Sequence, residues 1–519
     1  MKSMLMLRWL IIDEISMVSA RLLADIDSRL RTYYRANCDF ACDENKVLRP
    51  FAGVNVLFSG DFWQLPPPEG GFLGDIPFEF IRNSRHYMPS PSVSHGQSLL
   101  WNTVKKSGVA GVTELQFCER TSDVWLQSVQ EEFRYGKLTM DTHAFLHGKP
   151  TRFPGSVVNG VAKCGKVWCT SRASEVKKMQ KDNTEPKDEM REAYACVTES
   201  DECSICKHER KIRNLVAVDS TDKRFSQQKF LRAPAVFPNN DMTYEANKKR
   251  ALGYANKLKT GVMYCPAKDS PSHEALRIRP DLPSQKIAWL SRHDRESGDL
   301  YGILPLIKDM PVAMSDHIDR SEGKRLLRGR VGWVDSWVLA DDEQSVFENG
   351  KQILRKLPKV VYVRFFENNG QPCNWTVDGV NKKGVYPIVP ITKEWFLDKG
   401  RQHPQLKIHR RQLPLMPAFG MTAHSAQGQT FSKGAVVDLC IGGSSSTMAS
   451  YVALTRVERR EDLLILRPFP LEIFRQGQKP GMDLLLRTWR RDDTIDWPKI
   501  EKELMPSKLC PSCGFVKLK

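Results

Sequence analysis

The residues best suited to chemistry fall in four short stretches of this 519-residue chain. Asp13 and Glu14 follow an apolar run in "IIDEISMV". "GDFWQLPP" carries Gly60, Asp61 and Gln64. "MTAHSAQGQTF" carries Thr422, His424, Gln427, Gly428 and Gln429, and "YVALTR" ends in Arg456. Two adjacent carboxylates at a strand end suit phosphoryl transfer, in which one holds the Mg²⁺ shell and its neighbour accepts the proton of an attacking water. Alone, such a pair also reads as a capped helix start with two solvated acids. Gln64 can donate or accept and so could follow a terminal phosphate; the alternative is an ordinary turn with Asp61 as its cap. Gly428 would let the backbone approach a phosphate closely. Arg456 stands before an apolar strand, where it could reach a terminal phosphate as an arginine finger. Taken singly it also reads as a surface or ion-pair residue.

These groups need elements to hold them. "WLIIDEI" reads as a buried strand, and "SARLLADIDSRLRTYYR" as a helix with Ser19 as N-cap. "GVNVLFSGDFWQLPP" reads as a second buried strand closed by prolines. Strand, helix, strand predicts a parallel α/β sheet with its ligand site at the carboxyl ends of the strands, where both polar clusters fall. "VTELQFCERT" reads as a further strand. Residues 182–211 are charged and hold three Cys, as an insertion would. Residues 266–300 are Pro-rich and polar, as in a surface excursion. From 310 to 415 short β runs with Gly and Asn turns suggest a small barrel, after which α/β character returns.

Composition narrows the partners. Lys plus Arg number 78 against 61 Asp plus Glu, a formal charge of +17 that favours a polyanion such as nucleic acid. No stretch is long and apolar enough to span a bilayer, so no membrane partner is expected. The thirteen Cys are scattered and read as reduced thiols.

Taken together and in this order, "IIDEISMV", "GDFWQLPP", "AHSAQGQTF" and "YVALTR" resemble the superfamily-one DNA helicases of the petite-integration-frequency family, with RecD-type helicases as more distant relatives. The resemblance covers roughly 1–175 and 305–470. It implies an α/β fold with two RecA-like parallel-sheet motor domains, the first incomplete, and a small SH3-like β-barrel inserted in the second. The segments would be 1–115 (partial first RecA-like domain), 116–310 (second, first part, with the insertion 182–211), 311–412 (barrel), 413–475 (second, remainder) and a tail 476–519. It implies an ATP-dependent 5′–3′ helicase acting in DNA repair, recombination or telomere and genome maintenance. ATP and Mg²⁺ would be bound, and the partners would be single-stranded DNA and duplex or fork DNA, with the protein a monomer in nucleus or mitochondrion. Asp13 would help hold Mg²⁺, Glu14 would activate water, and Gln64 would sense the γ-phosphate. Arg456 would be one finger. Arg120, in a "QFCERT" that departs from the family's Phe-Arg-Gln, would be the other. Gly60, Asp61, Gln427, Gly428 and Gln429 would line the nucleotide, and His424 and Thr422 would link it to the DNA track. Arg328, Arg330 and Trp333 offer cations and an aromatic face for single strands, as does the basic run 401–411; each also reads as a solvated face or a barrel-core Trp.

The family's G-x-x-x-x-G-K-[ST] loop, which cradles phosphates, has no counterpart here. "GVAKCGKV" at 160–167 is a near match, but Val167 replaces the hydroxyl residue and a strand follows. The chain is therefore expected to start inside the first motor domain and, alone, to show little or no ATPase activity and an uncovered sheet. A non-catalytic nucleic-acid-binding remnant is the alternative. Cys196, Cys203, Cys206 and His208 have approximate structural-zinc spacing, with a cramped second pair. "CPSC" at 510–513 reads as a knuckle, half of a zinc ribbon, or as a chance pair.

Overall fold

Two parallel strands, Trp9–Ile12 and Asn55–Phe58, run in register from Trp9 opposite Asn55 to Ile12 opposite Phe58. This computed structural model describes residues 7–34, 39–77, 80, 90–101, 109–149, 157–158, 161–162, 204–348, 351–367, 370–440, 447–478 and 480–504. It forms two compact units, 1–214 with 441–460 and 469–519, and 215–440 with 461–468. The architecture is mixed α/β with parallel sheets in both units. The two units are drawn along different lines from the five segments above. Among the described residues no helix is long and apolar enough to cross a membrane.

In the first unit the strand pair is buried on one side only. Leu10, Ile12, Val56 and Phe58 pack against a core containing Leu23, Leu30, Phe62 and Trp101. On the other side Trp9, Ile11 and Leu57 are more than half exposed. The expectation of two buried strands is corrected here, because a strand is buried on both faces only when another layer covers each. The expected strand at "VTELQF" is also corrected. The segment is irregular, with Leu115 and Phe117 almost fully exposed, since alternation forms a strand only where an edge accepts it.

The helix Ala20–Tyr34 begins at Ser19, whose Oγ accepts the Leu22 N–H at 3.2 Å, as expected of an N-cap. Its inward stripe is Ala20, Leu23, Ala24, Asp27, Leu30 and Tyr34. Asp27 is the charge in that stripe. Its carboxylate accepts the Phe51 N–H and His95 Nε2–H and pairs with Arg31. Phe51, Ala52 and Gly53 all have positive φ, at 52°, 52° and 75°. Two non-Gly residues held there cost on the order of 1–3 kcal/mol each, and the surroundings must impose the shape. This turn feeds the strand Asn55–Phe58. Farther along, the helices Val124–Arg134 and Thr447–Leu454 pack together, and Gln130 Nε2 donates to Leu454 O at 3.1 Å.

The second unit holds a four-stranded parallel sheet in the order Gly420–Thr422, Ala235–Phe237, Ala435–Val437, Leu463–Ile465. Three of these strands are buried throughout, as parallel strands under cover on both faces should be. Asn247, buried on the helix Asn240–Leu258, clamps Gly420 by accepting its N–H at 2.7 Å and donating to its C=O at 3.1 Å. Five antiparallel strands, Val385–Ile388, Val360–Arg364, Val331–Val338, Pro311–Met314 and Leu415–Pro417, form a separate sheet in the β-rich region.

The expected surface excursion at 266–300 is a third correction. Its strand Lys268–Pro271 pairs with Lys407–Gln412, and Ala275, Leu282 and Trp289 are buried with Trp395, Leu406 and Ile408. The polar composition conceals a few large apolar side chains that suffice for a small core.

Candidate functional site

In the first unit the two strand ends are fastened to each other. Ser59 N–H donates to Ile12 O at 2.9 Å, and Ile15 N–H donates to Ser59 O at 3.0 Å. Ser59 Oγ and the Glu14 N–H both donate to Asp13 Oδ1, at 2.8 and 2.9 Å. Glu14 is left-handed, with φ 52°. Gly60 has φ 144°, and a Cβ there would lie 2.8 Å from Ile15 N, so only glycine lets the strand ends come this close. Asp13 remains exposed at the end of its strand. One of its oxygens is held by two donors, and an exposed, oriented carboxylate of this kind fits a hard divalent cation.

Asp61 and Gln64 close the next turn, with the Gln64 N–H on Asp61 O at 3.0 Å. Gln64 Oε1 is buried and accepts no hydrogen bond among the described residues. A buried carbonyl without a donor is costly unless a ligand or water supplies one. Asp61 also accepts from Arg134 Nη2 at 3.0 Å and from the Tyr451 hydroxyl at 3.3 Å.

Arg456 lies in the same unit and is 2 % exposed. Its Nε donates to Val452 O at 2.9 Å and its Nη2 to Thr455 Oγ1 at 2.7 Å. Arg120 Nη1 donates to Thr455 O at 3.0 Å, so one residue anchors both guanidinium groups. Burial, and then the Arg120 charge, push Arg456 down to about 10, while Tyr451, Glu14 and Asp61 pull the other way. Two arginines side by side, with the Glu14 carboxylate acting on one of them, make an electropositive end suited to a phosphate.

The remaining candidates lie in the second unit. Thr422 caps the short helix Ala423–Ala426, and His424 is exposed on it. Gln429 Nε2 folds back to Ser425 O at 2.6 Å, and Gly428 between the two glutamines has φ 77°. Gln427 N–H donates to Ala423 O at 3.0 Å. Arg328 is doubly bonded to Asp299, at 2.9 and 2.8 Å. Arg330 donates to Phe366 O at 3.0 Å, and the Trp333 ring packs edge-on to Phe366. In the basic run 401–411, Arg410 is fully buried on Asp269 and is not a surface cation.

Cys196, Cys203, the near match at 160–167 apart from Val161 and Ala162, and the "CPSC" pair lie outside the described residues. The backbone alone of Cys206 is described, and His208 is exposed. Among the described residues no group of three or more His, Cys, Asp or Glu is placed to hold a metal ion.

Arg134 and Tyr451 did not stand out in the sequence. The one signal was position: Tyr451 opens the same "YVALTR" that ends in Arg456.

Residues 1–85 match the PIF1-like helicase family. No curated protein sequence matches the chain. A crystal structure of the Pif1 helicase from Candida albicans is similar in fold, at 17% identity over 93% of this chain and 77% of that one, with a TM-score of 0.50. A Pif1 helicase from Bacteroides, solved in complex with ADP-AlF3 and ssDNA, is 16% identical over 95% of this chain and 77% of that one, with a TM-score of 0.46. The chain thus resembles the PIF1-like helicases in sequence at its first 85 residues and in its α/β fold.

Proposed function

We propose that this chain serves an ATP-dependent DNA helicase that moves 5′ to 3′ along single-stranded DNA, opens duplex or fork DNA, and works as a monomer in repair, recombination or telomere and genome maintenance, in nucleus or mitochondrion. The observation that carries this reading is the gathering of Glu14, Gln64, Arg120 and Arg456 in one unit, with Arg456 buried against a second arginine. Glu14 takes the proton of the attacking water as its oxygen bonds to the terminal phosphorus and the bond from that phosphorus to the bridging oxygen breaks, the electron pair leaving on ADP. Gln64 Oε1 accepts from that water, and Arg456 and Arg120 meet the charge that grows on the leaving phosphate. Asp13 is the residue that would hold Mg²⁺, which supplies charge neutralisation at the phosphate oxygens when bound.

Gly60 and Asp61, with Gln427, Gly428 and Gln429, complete the proposed nucleotide contacts. His424 and Thr422 pass its state to DNA held along Arg328, Arg330 and Trp333. Zinc on Cys196, Cys203, Cys206 and His208 belongs to the same proposal. The 519 residues contain no G-x-x-x-x-G-K-[ST] loop, so this chain by itself should hydrolyse ATP weakly or not at all. DNA-stimulated ATP hydrolysis, measured beside Glu14→Gln, tests both parts. Strong turnover lost in the variant sinks the weak-activity part and supports the catalytic roles. No turnover with salt-sensitive DNA binding is the expected result, and it is also what a non-catalytic remnant would give. ATP binding sensitive to Arg456→Ala separates those two.

A further inference from the structure

Asp61 ends the turn after the second strand, and its partners tie three elements together. Its Oδ1 accepts from the Trp63 N–H and from Arg134 Nη2, both at 3.0 Å, and its Oδ2 accepts from the Tyr451 hydroxyl at 3.3 Å. The Arg134 guanidinium also lies over three rings, 4.7 Å from the Trp63 centroid, 5.8 Å from Tyr135 and 6.0 Å from Tyr451. The side chains of Trp63 and Gln478 are hydrogen-bonded, and Gln478 in turn donates to the Arg134 carbonyl. Planar cation, carboxylate and aromatic faces thus close on one another.

Tyr451 lies in the helix Thr447–Leu454, and Arg456 follows its end. Arg456 and Arg120 are both hung on residues 452–455. Whatever fixes Tyr451 therefore fixes the backbone that holds both arginines. Burial, and then the Asp61 charge, push the Tyr451 phenol up, so it stays protonated and keeps donating. The Arg134–Asp61 pair is partly open to solvent, at 30% and 19% exposure. Such a pair adds little to folding stability, which leaves geometry as its main effect.

We infer that Arg134 and Tyr451 are positioning residues: through Asp61 they lock the segment bearing Arg456 to the turn bearing Gln64, so that both meet one terminal phosphate in a fixed frame. This rests on the nucleotide reading above and names what holds its arginine in place.

The test titrates the full chain with fluorescent N-methylanthraniloyl ATP and ADP in the presence of Mg²⁺. The variants are Tyr451→Phe, Arg134→Met and Arg134→Lys, with Arg456→Ala as reference and thermal melts as a folding check. Tyr451→Phe and Arg134→Met should each weaken ATP about three- to tenfold, the worth of one hydrogen bond, and leave ADP within about twofold. Arg134→Lys should recover part of the loss. A merely structural role would weaken both nucleotides alike, and that result overturns the inference. If Arg456→Ala weakens ATP but Tyr451→Phe and Arg134→Met do not, the positioning role falls and the nucleotide reading stands. If Arg456→Ala changes nothing, the nucleotide reading itself fails. Hydrogen exchange in the nucleotide-free chain then decides separately. Peptides over 452–458 must exchange faster in Tyr451→Phe and Arg134→Met, and unchanged exchange overturns the positioning role whatever ATP does.

Discussion

Arg410 and Arg456 are both buried almost completely, and they are buried differently. Arg410 is saturated. Its Nε and Nη2 grip both oxygens of Asp269 at 2.8 and 2.7 Å, and it also donates to Ser297 Oγ, Leu300 O and Trp289 O. Arg456 has a backbone carbonyl and a hydroxyl but no carboxylate partner among the described residues, and it lies beside another arginine. A desolvated charge with every donor used holds a fold together. One that is underpaired and pressed by a like charge is poised for an anion that arrives later.

The largest expected effect breaks the saturated case. Asp269→Ala strands Arg410 without its counter-charge and should cost about 3–5 kcal/mol in urea denaturation, whereas replacing both partners with apolar residues should cost far less. A loss under about 1 kcal/mol for the single variant would erase the distinction. Next, Arg456→Met should change stability by under about 1 kcal/mol, since it removes a poorly compensated charge, yet weaken ATP binding about tenfold or more. Equal damage to both would place Arg456 in the same class as Arg410.

A half-buried charge sharpens the contrast. Burial and then the Glu132 charge push Asp141 up to about 6. Because its folded value lies above the ordinary 3.8, its stabilising share is full below about pH 4 and is lost as pH rises through about 6. Asp141→Asn should therefore stabilise the chain near pH 7.5 by about 1 kcal/mol, after allowance for partial exposure, and have no effect near pH 3.5. Thermal melts at the two pH values check it. The smallest effect belongs to Arg120→Gln. Relief of like-charge pressure on Arg456 should raise stability by a few tenths of a kcal/mol, seen as a shift in the urea midpoint.

Much of this was legible in the sequence where short-range rules decide. The Ser19 cap, the strand before Asp13 and the turn after Phe58 follow from neighbours within a few residues. Arg410 was not legible, because two local signals disagree. In "KIHRRQ" it shares the inward face with Ile408 and Gln412, but its charge argues for the outside. The tie is broken by Asp269, 141 residues earlier. The same distance problem hid Arg134 and Tyr451, which reach Asp61 across 73 and 390 residues. Exposure of Trp9, Ile11 and Leu57 was missed for another reason. Apolar strands report what they can bury, not whether a layer lies over them.

Asp27 carries a consequence for reading mutational data. It makes no hydrogen bond or ion pair with Glu14, Gln64, Arg120 or Arg456, yet its carboxylate holds the Phe51 N–H in a turn of three left-handed residues that leads into the strand before Gly60. Asparagine keeps the shape but gives up the charge that Arg31 and His95 meet, and glutamate keeps the charge but overfills a fully buried site. In a saturation library scored on growth or binding, position 27 would tolerate almost nothing and would rank with Asp13 and Glu14. A map of intolerant positions would then draw the active region one helix too wide, and only a parallel abundance screen would tell the strut from the tool.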